Sequence, residues 1–242
     1  MLRKRINEAR WNKVAKNLGG KRVAARGRGL DVEHEVKLCL DIAEQQIQEL
    51  NISETDSVLD IGCSEGFFAR RFAQSALYVK GIDSASRMIE MAKSKSENIS
   101  NLEFEVASAL EIPCEDSAFD KVNCFGVLQY LGSKNEVKSA FCEISRTLKP
   151  GGYAYIGDVF EDKYKLLNII FQQNKEFGYI KALFTYVCHV VVFTLAPPTL
   201  FFSKKEFETF GQASGLRIVK EHKTIDELYE SEGLDFLLQK TE

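Results

Sequence analysis

Asp60 and Asp83 are carboxylates that each close an apolar run, and the first is followed by the turn Gly62-Cys63-Ser64-Glu65-Gly66. An apolar run over 58–61 that breaks into a glycine-punctuated turn before 67–72 resumes with helical character reads as strand, ligand-holding loop and helix. Gly62 and Gly66 leave side-chain-free backbone where a bulky ligand would approach. A carboxylate at the carboxyl end of a strand stands where open α/β sheets bind ligands. Asp83 comes 21 positions after Gly62 and ends the run 77–83; an acid at that spacing can accept both hydroxyls of a ribose. The chemistry on offer is the holding of a nucleoside-bearing cofactor.

Two phosphate-binding loops are excluded by spacing. G-x-G-x-x-G counted from Gly62 puts Ser64 and Phe67 in the later glycine slots, and G-x-x-x-x-G-K-[ST] fails because Phe67, not lysine, follows Gly66. What stands is D-x-G-x-S-x-G, which resembles the first motif of class I S-adenosylmethionine-dependent methyltransferases, usually [DE]-x-G-x-G-x-G. Ser64 departs from that form, so its backbone must tolerate the turn with a Cβ. The resemblance covers 57–160 strongly and 203–242 weakly.

It implies S-adenosyl-L-methionine as cofactor, S-adenosyl-L-homocysteine as product, and no metal. Asp60, Gly62, Cys63, Ser64 and Gly66 would form the cofactor loop, with the Cys63 thiol serving packing. Asp83 would be the ribose ligand, and Ser84 the N-cap of a helix over 85–95. After a third strand, 102–106, Ser108 and Ala109 stand where the family often carries Asp-Ala against the adenine. A neutral hydroxyl there accepts a weaker hydrogen bond than a carboxylate. Phe119-Asp120 matches the opening of the family's fourth strand, which runs to Phe125 on the cofactor side.

These residues require a doubly wound α/β core: a seven-stranded, mostly parallel sheet with helices on both faces and the last strand antiparallel. Val36, Leu40, Ala43, Ile47 and Leu50 recur at helical spacing, so a helix from Asp31 should cover one face before the first strand. Residues 148–152 are expected to end a helix and reverse the chain into a fifth strand, 153–158. Ser203 with Glu206 is a capping box opening a helix to about Ala213, followed by strands over 216–221 and 234–239. Four regions follow: a basic arm or lid, 1–30; the cofactor-binding core, 31–160; a helical insertion shaping the acceptor pocket, 161–202; and the closing helix and strands, 203–242.

The apolar fraction of 45% supplies a full core. Six cysteines show neither C-x-x-C pairing nor metal-ligand spacing, and no secretory leader opens the chain, which fits a reducing cytosol. The net charge of −3 conceals an asymmetry, because residues 1–30 hold ten Lys or Arg against one acid, Glu8. Such an arm suits a lid, an anionic lipid surface or nucleic acid. Trp11, within it, is an expected acceptor contact. The apolar stretch 182–196 is too short to span a bilayer, leaving a buried lid helix, a homodimer contact or a peripheral membrane contact.

Methyl transfer from a sulfonium needs alignment and exclusion of water more than a triad. The expected acceptor is a small molecule, or one linked to a lipid or carrier, methylated on oxygen or nitrogen. Gln129, Tyr130 and Asp158 should face it, and Asp158 or His189 would serve as base if a hydroxyl is methylated. Two alternatives stand beside this: a nucleic-acid methyltransferase using the basic arm, and a non-catalytic module that only binds the cofactor. The segment after the fourth strand, Cys124-Phe125-Gly126-Val127, lacks the N-P-P-Y-type motif for a flipped base.

Overall fold

Successive side chains of a strand point to opposite faces, and in β1 (Ser57–Ile61) this sends Leu59 and Ile61 into one hydrophobic layer and Val58 into another. The computed structural model describes residues 12, 32–160, 200–223 and 233–241. Its strands are β1, β2 (Tyr78–Asp83), β3 (Leu102–Val106), β4 (Phe119–Phe125), β5 (Leu148–Phe160), β6 (Leu216–Lys223) and β7 (Gly233–Lys240). They form one sheet in the order β3-β2-β1-β4-β5-β7-β6, with β7 antiparallel to both neighbours and the other pairs parallel. The seven-stranded, doubly wound expectation holds. Strand order reverses between β1 and β4, and such a switch point opens a crevice at the carboxyl ends.

Helices α1 (Val32–Leu50), α2 (Phe67–Phe72) and α3 (Ser86–Ser94) cover one face, where Ile42, Phe72 and Ile89 pack on Val58, Val79 and Tyr155. Helices α4 (Lys134–Thr147) and α5 (Lys204–Ala213) cover the other, where Phe141 and Phe207 pack with Val122, Ile156 and Phe236. Phe207 is the hub of that layer. It stacks on Phe236 at 4.6 Å and meets Phe141 and Phe202 edge-on at 5.3 and 5.6 Å, geometries that aromatic quadrupoles favour.

Three local expectations are corrected. In α1 the fully buried line is Cys39, Ile42, Ala43, Gln46 and Leu50, whereas Val36, Leu40 and Ile47 are only half-buried. The helix is rolled so that this line meets α2 and β5, a rotation that apolar spacing alone does not select. Ser84 is not the N-cap of α3; Ala85 is, and it makes no side-chain cap bond. Residues 148–152 do not form a turn. Leu148 is already extended at φ −71°, ψ 139° and pairs with Phe119. Pro150 disfavours helical backbone at Lys149, so the chain passes from α4 straight into β5, with a register shift between Phe119 and Lys121.

The capping box is as expected: Ser203 Oγ accepts the Glu206 N–H while Glu206 accepts back from Ser203. Ser203→Ala should cost about 1 kcal/mol and lower the melting temperature by roughly 2–4 °C in calorimetry. An unchanged melting temperature would show the box to be idle. Of the helical insertion expected over 161–202, residues 161–199, with His189 and the 182–196 stretch, lie outside the described residues, as do Trp11 and nearly all of the basic arm. No helix among the described residues is long and apolar enough to cross a membrane.

Candidate functional site

The turn after β1 repeats left-handed backbone at every second residue: Gly62 at φ 72°, Ser64 at 51° and Gly66 at 76°. Glycine adopts this region freely, and serine does so at a steric cost. The turn is tied to β2, because the N–H groups of Gly62 and Cys63 both donate to the Ile82 carbonyl, at 2.7 and 2.9 Å. Glu65, almost fully buried, pairs with Lys95 at 2.7 Å, and the Arg70 guanidinium donates to the Glu65 carbonyl at 2.7 Å. The glycines are needed for reasons internal to the protein. A Cβ on Gly62 would lie 2.3 Å from Val127 Cγ2, and one on Gly66 would lie 2.5 Å from the Phe104 ring. Gly66 does not line the cavity; it caps α2.

Asp83 ends β2 at the cavity edge with both oxygens oriented: Oδ2 accepts the Ser64 N–H at 3.0 Å and Oδ1 the Ala85 N–H at 2.8 Å. Burial raises its pKa, and these two N–H groups work against that rise. Each carboxylate oxygen keeps a further lone pair for a ligand. Asp60 is 1% exposed and is held by Asn123, its neighbour on β4, whose Nδ2 donates to Oδ1 at 2.8 Å. Burial is the main reason its pKa rises to about 7; Asp83 raises it further, while Asn123 and the Ala69 N–H hold it down. Among the described residues, Asp60 Oδ2 and Asn123 Oδ1 are buried without a hydrogen-bond partner. Burial, reinforced by Asp60 and Asp83, pushes the Cys63 thiol up, so it is a protonated packing group.

One cavity gathers these tips. Asp60, Gly62, Cys63, Ser64, Asp83, Ser84, Ser108, Ala109, Phe125 and Tyr130 all line it, as the sequence implies. Met88, Leu110 and Val127 add apolar walls. The Ser108 hydroxyl already accepts the Leu110 N–H at 3.2 Å, leaving a lone pair and its own proton. Among the described lining residues, Asp60, Glu65, Asp83 and Glu136 are acidic and no Lys, Arg or His is present. Such a cavity repels a pyrophosphate and attracts a cation.

Beyond Gly126 the chain builds a second polar group. Asp158 is buried at φ 58° beside a bulge in the β5–β7 pairing, and its N–H donates to Asp235 Oδ1 at 2.9 Å. Asp235 Oδ2 in turn accepts the Tyr155 hydroxyl at 2.5 Å. Bulges re-aim side chains at sites. A Cβ on Gly126 would lie 3.3 Å from Asp158 Oδ2 and 3.9 Å from Gln129 Nε2, so these two side chains share a corner. Gln129 is fully buried, does not line the cavity, and its amide has no partner among the described residues. Asn123, Tyr155 and Asp235 were missed by sequence reasoning. The available signal was polar residues inside apolar strands, Val122-Asn123-Cys124 and Leu234-Asp235-Phe236.

The sheet order, the strand-tip acids and the glycine turn define a Rossmann-like fold with a cavity at its switch point. Residues 59–156 match the family model described as Methyltransferase domain. The putative methyltransferase YqeM of Bacillus subtilis is 33% identical over 105 residues, covering 43% of this chain and 42% of that protein. The chain's matches span 32% to 47% of the length of its curated relatives. Two solved structures share the fold. One is the Haloferax volcanii complex of the Trm112 methyltransferase activator with a putative methyltransferase (TM-score 0.68, 16% identity, 96% of this chain and 98% of that one). The other is the N-methyltransferase NodS of Bradyrhizobium japonicum with S-adenosyl-L-homocysteine (TM-score 0.65, 15% identity, 96% and 99%). The fold is that of class I S-adenosylmethionine-dependent methyltransferases, and the match to the methyltransferase domain model spans residues 59–156.

Proposed function

We propose that this chain transfers the methyl group of S-adenosyl-L-methionine to an oxygen or nitrogen of a small acceptor, free or linked to a lipid or carrier, in the cytosol. The observation that carries the reading is the meeting of Asp60, Asp83 and the turn residues 62–65 in one acidic cavity without cationic lining among the described residues. The residues present fit that cofactor. Asp83 has oriented lone pairs for a ribose diol, Met88, Ala107, Leu110 and Phe125 offer flat apolar walls to a purine, and Asp60 keeps an unpartnered oxygen for a cationic donor.

When bound, S-adenosylmethionine supplies an already activated methyl group on a sulfonium. The protein's own task is then to orient the acceptor in line and keep water out. Tyr130 lines the cavity and is the candidate acceptor contact, and Asp158, outside the lining but next to Gly126 on its wall, is the candidate to receive the acceptor's proton-bearing group, its backbone held by Asp235. Asn12, the one described residue of the basic arm, accepts the Arg87 N–H at 3.2 Å in the first turn of α3. Because α3 has no side-chain cap of its own, this contact supports the reading of the arm as a lid at the cofactor rim.

Isothermal titration with S-adenosylmethionine tests the cofactor reading; a protein that ignores millimolar ligand refutes it. A metabolite extract supplied with labelled S-adenosylmethionine then tests for transfer to a small acceptor. With the acceptor found, Asp158→Asn should lower kcat/KM about ten- to a hundredfold, the value of one hydrogen bond to a charged group. Unchanged kcat/KM would remove Asp158 from the acceptor site.

A further inference from the structure

Among the described residues, four other than glycine have left-handed backbone: Asn51, Ser64, Ser117 and Asp158. Of these, Ser64 alone lines the cavity. Its φ of 51° carries a steric cost that glycine would not. The usual form of the turn has glycine there, so the Cβ and the hydroxyl are this chain's own addition to the wall. Strained backbone at a site is a pointer to use, and the contacts of the side chain narrow down which use.

Two hydrogen bonds fix where the hydroxyl stands. The Ser64 N–H donates to Asp83 Oδ2 at 3.0 Å, and the Ser64 hydroxyl donates to the Met88 thioether at 3.5 Å. Asp83 and Met88 line the same cavity. A thioether is a weak acceptor, so the hydroxyl gives up little by turning its proton to a ligand oxygen. Any ligand hydroxyl that donates to the remaining lone pair of Asp83 Oδ2 comes to rest beside Ser64, because both then hold the same oxygen. Having spent its proton on Asp83, that group has lone pairs to offer a donor.

We propose that Ser64 reads the sugar of the cofactor: its hydroxyl leaves Met88 and donates to the ribose oxygen that itself donates to Asp83 Oδ2, which makes Ser64 a specificity-determining residue for ribose over deoxyribose. This rests on the proposed cofactor and on Asp83 as its ribose ligand. Hydrogen bonds in a chain polarise one another. A ribose hydroxyl that donates to a carboxylate is therefore a better acceptor for the serine.

Titration calorimetry with S-adenosylhomocysteine and with its 2′-deoxy and 3′-deoxy analogues tests this on wild type, Ser64→Ala and Ser64→Gly. Alanine keeps the Cβ and the strain and removes the hydroxyl; glycine removes all three. Both variants should bind S-adenosylhomocysteine about three- to tenfold more weakly than wild type, the value of one neutral hydrogen bond. For the analogue without the hydroxyl that Ser64 reads, all three proteins should bind alike. For the other analogue the variants should show the same loss as for S-adenosylhomocysteine. Circular dichroism reports whether each variant is folded, and should alanine unsettle the turn, the glycine variant carries the same comparison.

If the folded variants bind S-adenosylhomocysteine as tightly as wild type, or lose affinity equally for all three ligands, the proposal is overturned and the cofactor reading survives. If wild-type protein takes up none of the three at millimolar concentration, both fall together.

Discussion

Asp83→Ala will weaken binding of S-adenosylhomocysteine by about 10²- to 10⁴-fold while the sheet stays folded. The carboxylate that would meet a ribose diol offers one lone pair from each oxygen, and hydrogen bonds to a charged group are worth about 1.5–3 kcal/mol each. Two of them give roughly 3–6 kcal/mol, and every 1.4 kcal/mol is tenfold. The same oxygens orient the turn by accepting the Ser64 and Ala85 N–H groups, so alanine also loosens the loop. Asp83→Asn separates these effects. It keeps one acceptor oxygen and should fall between wild type and alanine. Calorimetry measures both, and an alanine variant that binds within threefold of wild type would show that Asp83 does not touch the ligand.

Gly62→Val will abolish detectable cofactor binding and lower the melting temperature by roughly 6–12 °C. Two costs combine. The φ of 72° is a left-handed conformation that costs an L-residue about 1–2 kcal/mol, and more for a β-branched one. The new Cβ would also stand 2.3 Å from Val127 Cγ2, and overpacking of this kind costs about 1–3 kcal/mol. A total of about 3 kcal/mol in a chain of this size gives the stated shift. The two costs are separable by Val127→Ala, which makes room without changing φ. Gly62→Ala combined with Val127→Ala should recover part of the stability lost in Gly62→Ala alone, and a strictly additive pair would refute the clash. Val127 lines the cavity, so the push that destabilises the fold also moves a wall of the site.

Much of this site was legible along the chain. The ends of β1 and β3, the capping box at Ser203 and the order of glycines and acids are local properties, set by residue type within a few positions. Asp60 and Asp83 read as strand-tip acids because each follows an apolar run, and both do line one cavity. The reason for the glycines was less legible: Gly62 makes room for Val127, and Gly66 for Phe104. Neither partner is near in sequence. The roll of α1 was equally hidden, because apolar residues on several sides of a helix leave its buried line to whichever surface it meets.

Residue type and short-range spacing by themselves determined the class of fold, the position of the glycine turn, and the two strand-tip carboxylates that line the cavity. Only the tertiary structure decided what those groups can do. Asp60 faces Asn123 across 63 positions, and Tyr155 reaches Asp235 across 80. These pairings depend on strand order and register, where a one-residue slip would carry each side chain to the opposite face. Burial is what raises the pKa of the Asp60 carboxyl, against the Asn123 amide that holds it down, and burial is a property of the assembled sheet.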